Sequence, residues 1–342
     1  MTFLPSDHTL GNHMNTPFEN DRRKINYLRI SLTDRCNLAC MYCVPKGSIP
    51  SLPHKDIASY EEILKITSAA VELGITKVRI TGGEPLVRKG LTDFLKELSK
   101  IDEIKDIAIT TNGVLLVKYL DELIDSGLKR LNISLDTLKP EKFKFITGKD
   151  RFNDVWNGIM AAFKKGINPI KLNTVSLRGV NDDEIEDLAA ITTQYPFHIR
   201  FIEYMPMGNS AVDIGQQILI PEIRTRIESK FGELEPVKRG IYDGPAKRFK
   251  IKGGIGEIGF ISPVSSHFCK ECNRLRLTST GMLRPCLLNK YEKDILKHLR
   301  NGASDEELKE IIREVIINKP LSHHLEKNST AHVESQMSKI GG

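Results

Sequence analysis

The sequence predicts an α/β fold built around a parallel sheet, and two observations indicate it. From Ile25 onwards, short runs of β-forming residues alternate with amphipathic stretches six times in succession. Several amphipathic stretches end at a glycine, for example Gly74 and Gly127, a common signal for the end of a helix. Successive βα units imply parallel strands joined by right-handed crossovers. Because a closed barrel needs eight units, an open partial barrel and a doubly wound sheet both fit the pattern.

The individual elements follow from their periodicity and end signals. Strands are expected at residues 27–32, 77–81, 106–110, 130–135, 169–177 and 198–203. Helices are expected at residues 59–73, 91–99, 116–126, 152–165, 182–195, 221–231 and 305–317. The first helix has a clear start, because Ser59 is followed three residues later by Glu62, the spacing of a capping box. Ligands bind at the carboxyl ends of strands in both folds, where Gly82-Gly83 would let backbone amides approach a ligand.

Alternation along the first five strands predicts which side chains face inwards. Apolar residues occupy one face of each strand, which we expect to pack against the helices. Arg29, Arg79 and Lys171 fall on the opposite face and would point together into the interior. The alternative is that they lie at solvated strand ends or pair with acids such as Glu84 or Glu203. Buried cations are costly without an anion, so we predict a polyphosphate or carboxylate ligand.

Composition and charge exclude some classes of protein. The chain has 342 residues, with 50 basic side chains nearly balanced by 44 acidic ones, so we expect no nucleic-acid partner. No apolar run reaches transmembrane length, and we expect no membrane association. Residues 1–24 lack a hydrophobic signal core and are rich in polar residues, which predicts a disordered arm. The cysteines are clustered, so we expect a cytoplasmic protein without disulfides.

A first group of three cysteines follows the first predicted strand. Cys36, Cys40 and Cys43 are separated by three and two residues, so their thiolates can converge on one soft metal centre. A closed zinc site needs a fourth ligand, and the nearest histidine, His54, lies beyond two prolines. Unrelated buried cysteines are the other alternative. In a four-iron cluster, three cysteines would leave one iron open to an exogenous ligand.

A second group of three cysteines lies near the C-terminus and also lacks a fourth cysteine. It consists of Cys269, Cys272 and Cys286. His267 is close enough in sequence to complete a Cys3His zinc site, and the spacing fits such a site and an iron–sulfur cluster about equally well. If the segment that follows is a strand, Arg274 and Arg276 lie on one face of it and add two cations beside this centre.

Together these motifs resemble one family, the GTP 3′,8-cyclases of molybdenum-cofactor biosynthesis (the MoaA family), which are radical S-adenosylmethionine (SAM) enzymes. The resemblance runs from about residue 25 to residue 342. Its motifs are the cysteine loop 36–43, Arg79-Ile80-Thr81-Gly82-Gly83-Glu84-Pro85, Thr110-Thr111-Asn112-Gly113, Lys171-Leu172-Asn173-Thr174-Val175, Cys269-x2-Cys272-Asn273-Arg274-Leu275-Arg276, Cys286 and Gly341-Gly342. The resemblance implies a partial (β/α)6 barrel of the radical SAM type at residues 25–210, with an α+β subdomain at residues 211–342 closing its mouth.

The resemblance also implies the cofactors and the reaction. Two [4Fe–4S] clusters would be held by Cys36, Cys40 and Cys43 and by Cys269, Cys272 and Cys286. SAM would bind the open iron of the first cluster, with contacts from Tyr42, Gly83, Ser134 and Met205. GTP would bind the second cluster through its purine and would contact Arg29, Arg79, Thr110, Lys171, Arg274, Leu275 and Arg276. Reductive cleavage of SAM would give a 5′-deoxyadenosyl radical that takes the C3′ hydrogen of GTP, and the C3′ radical would attack C8. The resemblance implies no protein acid or base.

The resemblance also implies partners, and two other functions remain possible from the sequence. We expect a one-electron reductant, a homodimer, and a downstream cyclic pyranopterin monophosphate synthase. The Gly341-Gly342 tail resembles the family segment that reaches into the active site. One rival is a peptide-modifying radical SAM enzyme, although such enzymes usually have more C-terminal cysteines and lack the paired Arg274 and Arg276. Another is a non-catalytic electron carrier or zinc-stabilised module, neither of which needs six βα units.

Overall fold

The computed structural model describes residues 23–44, 51–208, 210–238, 240, 243–323 and 337–341, together with the backbone of residues 19–20. Nothing is described for the side chains of residues 338 and 339. The predicted N-terminal arm, residues 1–24, lies outside the described residues except for two short paired strands, Glu19–Asn20 and Arg23–Lys24. Among the described helices, none is both long and apolar enough to cross a lipid bilayer.

The secondary structure follows the predicted alternation. The strands are β1 Glu19–Asn20, β2 Arg23–Lys24, β3 Tyr27–Ser31, β4 Lys77–Thr81, β5 Asp106–Thr111, β6 Arg130–Ser134, β7 Ile170–Ser176, β8 His198–Glu203, β9 Glu235–Pro236, β10 Lys247–Lys250, β11 Glu257–Ile261, β12 Arg274–Leu277, β13 Met282–Arg284 and β14 Lys293–Asp294. The helices are α1 Tyr60–Glu72, α2 Leu91–Ser99, α3 Leu116–Asp125, α4 Pro140–Thr147, α5 Phe152–Lys164, α6 Ile185–Gln194, α7 Ile220–Phe231, α8 Ile295–Arg300, α9 Asp305–Ile317 and α10 Met337–Ile340. Each predicted strand and helix is present, and the ends differ from the predicted ones by at most three residues.

The six strands β3 to β8 are parallel neighbours in sequence order within one twelve-stranded sheet, β14-β13-β12-β3-β4-β5-β6-β7-β8-β11-β10-β9. A doubly wound sheet reverses its strand order at a switch point, and β3 to β8 show no reversal. The sheet has free ends at β14 and β9, so it does not close by hydrogen bonds. The predicted partial (β/α)6 barrel is therefore confirmed.

The C-terminal part of the chain extends this barrel at both edges. Strand β12 pairs in parallel with β3, and β11 pairs in parallel with β8. The sheet thus runs across the predicted boundary at residue 210, and the division into residues 25–210 and 211–342 remains a prediction. This pairing matters for function because it brings the second cysteine group, which flanks β12, beside the strand that precedes the first group.

The core lies between the outer face of the sheet and the helices. Leu28, Ile80 and Phe201, on β3, β4 and β8, are fully buried in one apolar cluster with helix residues such as Ile63 and Leu95. Because these apolar residues alternate along their strands with polar ones, the polar residues are left facing the interior of the barrel.

Three of the described helices, α4, α8 and α10, were not predicted, and all three are short. Helix α4 starts with Pro140 at its first turn and ends at Gly148 in the left-handed conformation, with φ of 72°, so its end signals were present in the sequence. Its eight residues are too few for a clear apolar period. Helix α8 spans only six residues. The capping box predicted for α1 is present, because Ser59 and Glu62 exchange hydrogen bonds.

Candidate active site

A cavity of about 330 Å³ opens at the carboxyl ends of the barrel strands. Its volume is typical of a small-molecule site. The lining includes all six cysteines and the four residues expected to contact SAM, which are Cys36, Cys40, Cys43, Cys269, Cys272, Cys286, Tyr42, Gly83, Ser134 and Met205. It also includes five residues expected to contact GTP, namely Arg29, Arg79, Thr110, Arg274 and Arg276. One cavity therefore joins groups that are more than 200 residues apart in sequence.

Two expected GTP contacts, Leu275 and Lys171, do not border the cavity. Leu275 is fully buried in the apolar core, because alternation along β12 turns it away from Arg274 and Arg276. Lys171 faces the interior but pairs with Asn132, one step deeper than the cavity wall. Burial, together with neighbouring arginines, lowers the pKa of the Lys171 ammonium group to about 6.

The first cysteine loop is held by backbone hydrogen bonds to the end of α4. The amides of Ala39 and Met41 donate to the carbonyl oxygens of Thr147 and Ile146, both at 2.9 Å. Within the loop, the Cys43 amide donates to the carbonyl oxygen of Cys40 at 2.9 Å. These contacts position the cysteines by main-chain geometry, so residues 39 and 41 can vary in side chain.

Asn112 connects this loop to the end of β5. Its side-chain nitrogen lies 2.7 Å from Oδ1 of Asn37 and 3.7 Å from the Sγ atom of Cys36. An amide donor close to a thiolate stabilises the negative charge of a metal-bound sulfur. Asn112 was part of a recognised motif but was not predicted as a site residue.

Gly82 and Gly83 pack closely against the backbone that precedes the first cysteine loop. A Cβ atom on Gly83 would lie 2.4 Å from the carbonyl oxygen of Arg35, and one on Gly82 would lie 2.7 Å from that of Thr33. The Gly83 amide donates to the Thr33 carbonyl oxygen at 2.7 Å. The expectation that both amides approach a ligand is therefore corrected for Gly83, although its main chain still borders the cavity.

Tyr42 is oriented by Asp136, which follows β6. The tyrosine hydroxyl donates to Oδ2 of Asp136 at 2.6 Å, and the Val175 amide donates to Oδ1 at 2.8 Å. Burial raises the pKa of the Asp136 carboxyl to about 6, against the lowering effect of these two donors. Asp136 lines the cavity and was missed as a site residue, although its position after a strand end was a signal.

The two acids considered as partners for the interior cations are engaged elsewhere. The Glu84 carboxylate accepts hydrogen bonds from the Thr111 hydroxyl at 2.7 Å and the Asn112 amide at 2.6 Å. Glu203 accepts from the amides of Ile220 at 2.9 Å and Val264 at 2.8 Å. Both acids therefore organise loops at the strand ends, and their described hydrogen bonds do not reach the interior arginines.

The interior cations are crowded together. Arg276, Arg29 and Arg79 are register partners on three adjacent strands, so their side chains lie side by side. Burial, reinforced by Arg276, lowers the pKa of Arg29 well below its usual value. Burial also lowers the pKa of Arg276 to about 10. Such crowding is unfavourable unless an anion occupies the space between the cations.

Arg200 is a further arginine in the lining that sequence reasoning missed. It lies on β8, where Ile199 and Phe201 face the core and Arg200 faces the interior. The alternation rule that identified Arg29 and Arg79 would have identified it, had the sixth strand been included. Burial, with Arg79 nearby, lowers the pKa of Arg200 to about 9.

Several buried polar atoms at the interior have no hydrogen-bond partner among the described residues. They include the Nε atom of Arg79, the hydroxyl oxygen of Thr110 and the Oδ1 atom of Asn173. All three residues line the cavity. Because buried polar groups in proteins are nearly always paired, these atoms indicate a polar ligand. The residues present thus fit a bound phosphate-bearing molecule.

The position of His267 bears on whether the second cysteine group binds zinc or an iron–sulfur cluster. His267 is exposed and stacks on His323 with ring centroids 4.3 Å apart, and of the two only His323 borders the cavity. Within the described ranges, no three His, Cys, Asp or Glu side chains gather closely enough to hold a single metal ion. Burial raises the pKa of the Cys272 thiol, but Arg274 and Lys319 outweigh it and lower the pKa to about 6. A thiolate is the form that binds iron.

The C-terminal tail enters the same region. Met337 lines the cavity, and Gly341 adopts a φ of 80° with its carbonyl oxygen 2.7 Å from the Nη1 atom of Arg276. A Cβ atom on Gly341 would lie 2.7 Å from Cγ2 of Thr81. The tail therefore packs against the barrel interior at a position where only glycine fits, while Gly342 lies outside the described residues.

Comparison with known proteins identifies this arrangement. The radical SAM superfamily profile matches residues 30–191, and the Molybdenum Cofactor Synthesis C profile matches residues 197–325. The GTP 3′,8-cyclase of Thermodesulfovibrio yellowstonii is 51% identical over 309 residues, covering 90% of this chain and 96% of that protein. The GTP 3′,8-cyclase of Desulforamulus reducens is 46% identical over 325 residues, covering 95% and 99%. This chain belongs to the GTP 3′,8-cyclase family.

Solved structures support the fold of this family member. SuiB of Streptococcus suis superposes with a TM-score of 0.57 at 15% identity, over 86% of this chain and 66% of that protein. The complex of SuiB with its precursor peptide SuiA gives 0.59 at 16% identity, over 86% and 65%. At this identity the likeness concerns the fold alone. Membership of the radical SAM superfamily implies SAM and a [4Fe–4S] cluster, which matches the Cys36, Cys40 and Cys43 loop.

Proposed function

We propose that this family member is a GTP 3′,8-cyclase. It converts GTP to (8S)-3′,8-cyclo-7,8-dihydroguanosine 5′-triphosphate, the first step of molybdenum-cofactor biosynthesis. The observation that carries the proposal is the single cavity lined by both cysteine groups and by a ring of arginines. The family relationship to proteins named GTP 3′,8-cyclase supports the same reaction.

The first cysteine loop holds the cluster that binds SAM. Cys36, Cys40 and Cys43 would hold this cluster, which when reduced would supply the electron for cleavage of SAM and so the radical chemistry at C3′. Tyr42, Gly83, Ser134 and Met205 line the same cavity and would contact SAM. Asp136 keeps the Tyr42 ring in place through its 2.6 Å hydrogen bond.

The second cysteine group holds another [4Fe–4S] cluster and not zinc. Cys269, Cys272 and Cys286 all face the cavity, and a three-cysteine cluster keeps one iron open for the purine of GTP. The exposure of His267 and its absence from the cavity lining support this choice over Cys3His zinc. The Arg274 guanidinium, which lowers the pKa of the Cys272 thiol, favours the thiolate required for iron binding.

The triphosphate binds among the arginines. Arg29, Arg79 and Arg276 line one wall side by side, and Arg200 faces the same cavity from β8. The unpaired atoms of Arg79 and Thr110 provide donors for phosphate oxygens. Lys171 contributes its charge from one layer deeper, where an anion would raise its lowered pKa.

Reduction, assembly and location remain predictions from the sequence. A one-electron reductant must serve the first cluster, the downstream synthase takes the product, and a homodimer and a cytoplasmic location are expected. The fold resembles that of SuiB, which was solved with a precursor peptide, so the fold alone is compatible with the peptide-modifying alternative. The arginine-rich wall of the cavity favours a phosphorylated ligand over a peptide.

The decisive experiment uses the anaerobically reconstituted full-length protein with SAM, a strong reductant and GTP. We expect one 5′-deoxyadenosine for each cyclised nucleotide, identified by mass spectrometry and NMR. GTP deuterated at C3′ should transfer deuterium to 5′-deoxyadenosine, whereas GTP deuterated at C8 should retain its label in the product. Formation of 5′-deoxyadenosine without a cyclised product, at a rate independent of GTP, would contradict the proposal.

A further inference from the structure

Two buried cations that belong to neither cysteine motif enclose the second cysteine group. Lys319 is 4% exposed, and its ammonium nitrogen donates to the carbonyl oxygen of Arg274 at 2.8 Å and to that of Pro285. Arg274 lies two residues after Cys272, and Pro285 directly precedes Cys286. One ammonium group therefore joins the two segments that carry these cysteines.

Arg23 makes the corresponding connection to Cys269, the remaining cysteine of the group. It is 6% exposed, and its Nη1 atom lies 3.2 Å from the carbonyl oxygen of Cys269 and 2.9 Å from that of Pro320. Its Nη2 atom lies 3.1 Å from the carbonyl oxygen of Lys319. The two cations thus form one unit that contacts the main chain beside all three cysteines.

The positive charge of Lys319 and the negative charge of the cysteine thiolates stabilise each other. Burial lowers the pKa of Lys319, while Cys272 and Cys286 act in the opposite direction. A cation buried among carbonyl groups is costly unless negative charge lies nearby. The thiolates of an iron–sulfur centre would supply that charge on the cavity side.

We propose that Lys319, with Arg23, is a positioning residue that holds the three cysteine segments at cluster spacing and stabilises the reduced form of the second cluster. The inference rests on the second [4Fe–4S] cluster of the proposed function. Reduction adds a negative charge to a cluster, so a fixed neighbouring cation favours the reduced state and raises the reduction potential. The same contacts hold Cys272 and Cys286 at a fixed separation before iron binds.

The test compares Lys319→Met, which removes the charge at similar length, with Lys319→Arg, which retains it. Lys297→Met, at an exposed lysine of α8, is the matched control. Each full-length protein is reconstituted anaerobically, iron and sulfide are measured, and both clusters are titrated by EPR at controlled potential. The signal that does not respond to SAM belongs to the second cluster.

In Lys319→Met we expect the second cluster to become at least tenfold harder to reduce, about 59 mV for one electron. The SAM-responsive signal should not move, and Lys319→Arg should restore most of the shift. Loss of about four irons in Lys319→Met that Lys319→Arg restores supports the same role. Arg23→Met should shift the potential in the same direction, which preserves the test if Lys319→Met folds poorly.

Unchanged iron and potential in both Lys319→Met and Arg23→Met would overturn the inference. Equal iron loss in Lys319→Met and Lys319→Arg would also overturn it, because charge would then be irrelevant. Wild-type protein with only about four irons would remove the proposed second cluster, and this inference with it. That failure is distinguishable because it appears before any variant is compared.

Discussion

The Nη1 atom of Arg276 lies 2.7 Å from the carbonyl oxygen of Gly341, which ties the C-terminal tail to the arginine wall of the cavity. The tail fits there because Gly341 has no side chain: an added Cβ would lie 2.7 Å from Cγ2 of Thr81 and 3.0 Å from Cβ of Ser31. The contact links the last described residues to β12, the strand that the second cysteine group flanks.

Gly341→Ala should therefore displace the tail without unfolding the barrel. We expect cyclisation of GTP to fall at least about tenfold, because the substitution combines a close contact with a φ of 80° that alanine avoids. Product formation and melting temperature are measured together. Gly302→Ala is the control, since Gly302 has a similar φ of 87° but no atom within 4 Å of the added Cβ. Normal cyclisation by Gly341→Ala would show that the tail position does not matter for activity.

Alanine at Cys36, Cys40 or Cys43 should abolish reductive formation of 5′-deoxyadenosine. Loss of one thiolate removes the cluster or its open iron, while the loop backbone remains anchored to α4. The measurement is 5′-deoxyadenosine by liquid chromatography after anaerobic reduction with SAM. SAM cleavage that persists in the triple variant would refute the assignment of this loop.

The nature of the second centre is tested by Cys286→Ala and His267→Ala. We expect Cys286→Ala to lose about four irons and His267→Ala to lose none, because His267 does not border the cavity. Iron and zinc are measured on anaerobically purified protein. Stoichiometric zinc that disappears with His267 would establish the Cys3His alternative instead.

Arg79→Ala and Arg276→Ala should weaken GTP binding by roughly ten- to a hundred-fold, since a charge-assisted hydrogen bond contributes about 1.5–3 kcal/mol. SAM affinity should be nearly unchanged. The affinities for the two ligands are measured separately by calorimetry or equilibrium dialysis. Arg178→Ala, which removes an exposed arginine paired with Glu222, is the control. Equal weakening of both ligands would indicate a structural role, and no weakening would place the triphosphate elsewhere.

The raised pKa of the buried Glu84 carboxyl predicts that the free energy of unfolding depends on pH. Burial raises its pKa to about 7, against the lowering effect of its hydrogen bonds, whereas a carboxyl in an unfolded chain titrates near about 4.3. The folded state therefore binds more protons between these values, and the stabilisation from protonated Glu84 is lost as pH rises through about 7.

The free energy of unfolding of wild type relative to Glu84→Gln should fall by about 2 kcal/mol between pH 5 and pH 7. Denaturant titrations of both proteins at the two pH values measure this difference, and other titrating groups cancel between them. Glu103→Gln, at an exposed glutamate, should show no such change. A constant difference between wild type and Glu84→Gln would mean that Glu84 is already ionised at pH 5.

Local patterns were enough to predict six βα units and part of the cavity lining, whereas the choice of a partial barrel over a doubly wound sheet came from the family resemblance. Alternation along β3 and β4 predicted that Arg29 and Arg79 face inwards, because neighbouring side chains on a strand necessarily point to opposite faces. The same rule would have found Arg200 on β8. Helix α4 was not predicted, because its eight residues are too few to show a clear apolar period.

Position along the sequence could not show how deep a side chain lies or what its neighbours are. Lys171 faces inwards as expected, yet its register with Asn132 places it below the cavity wall. Leu275 lies between the two arginines of the motif but packs into the core, since alternation turns it outwards. The sequence showed the glycines at 82 and 83 but not why glycine is needed there. The structure shows that side chains at these positions would meet the backbone of Thr33 and Arg35.

By itself, the sequence determined the two cysteine groups, the six βα units and the family, because these depend on residue identity and on spacing along the chain. Tertiary structure decided that the groups share one cavity, because the parallel pairing of β12 with β3 joins residues about 250 positions apart. It also decided that Arg23 and Lys319 lie together beside the second group, a contact between residues 296 positions apart in sequence. Such long-range pairing depends on packing energies summed over the whole fold, which no local pattern contains.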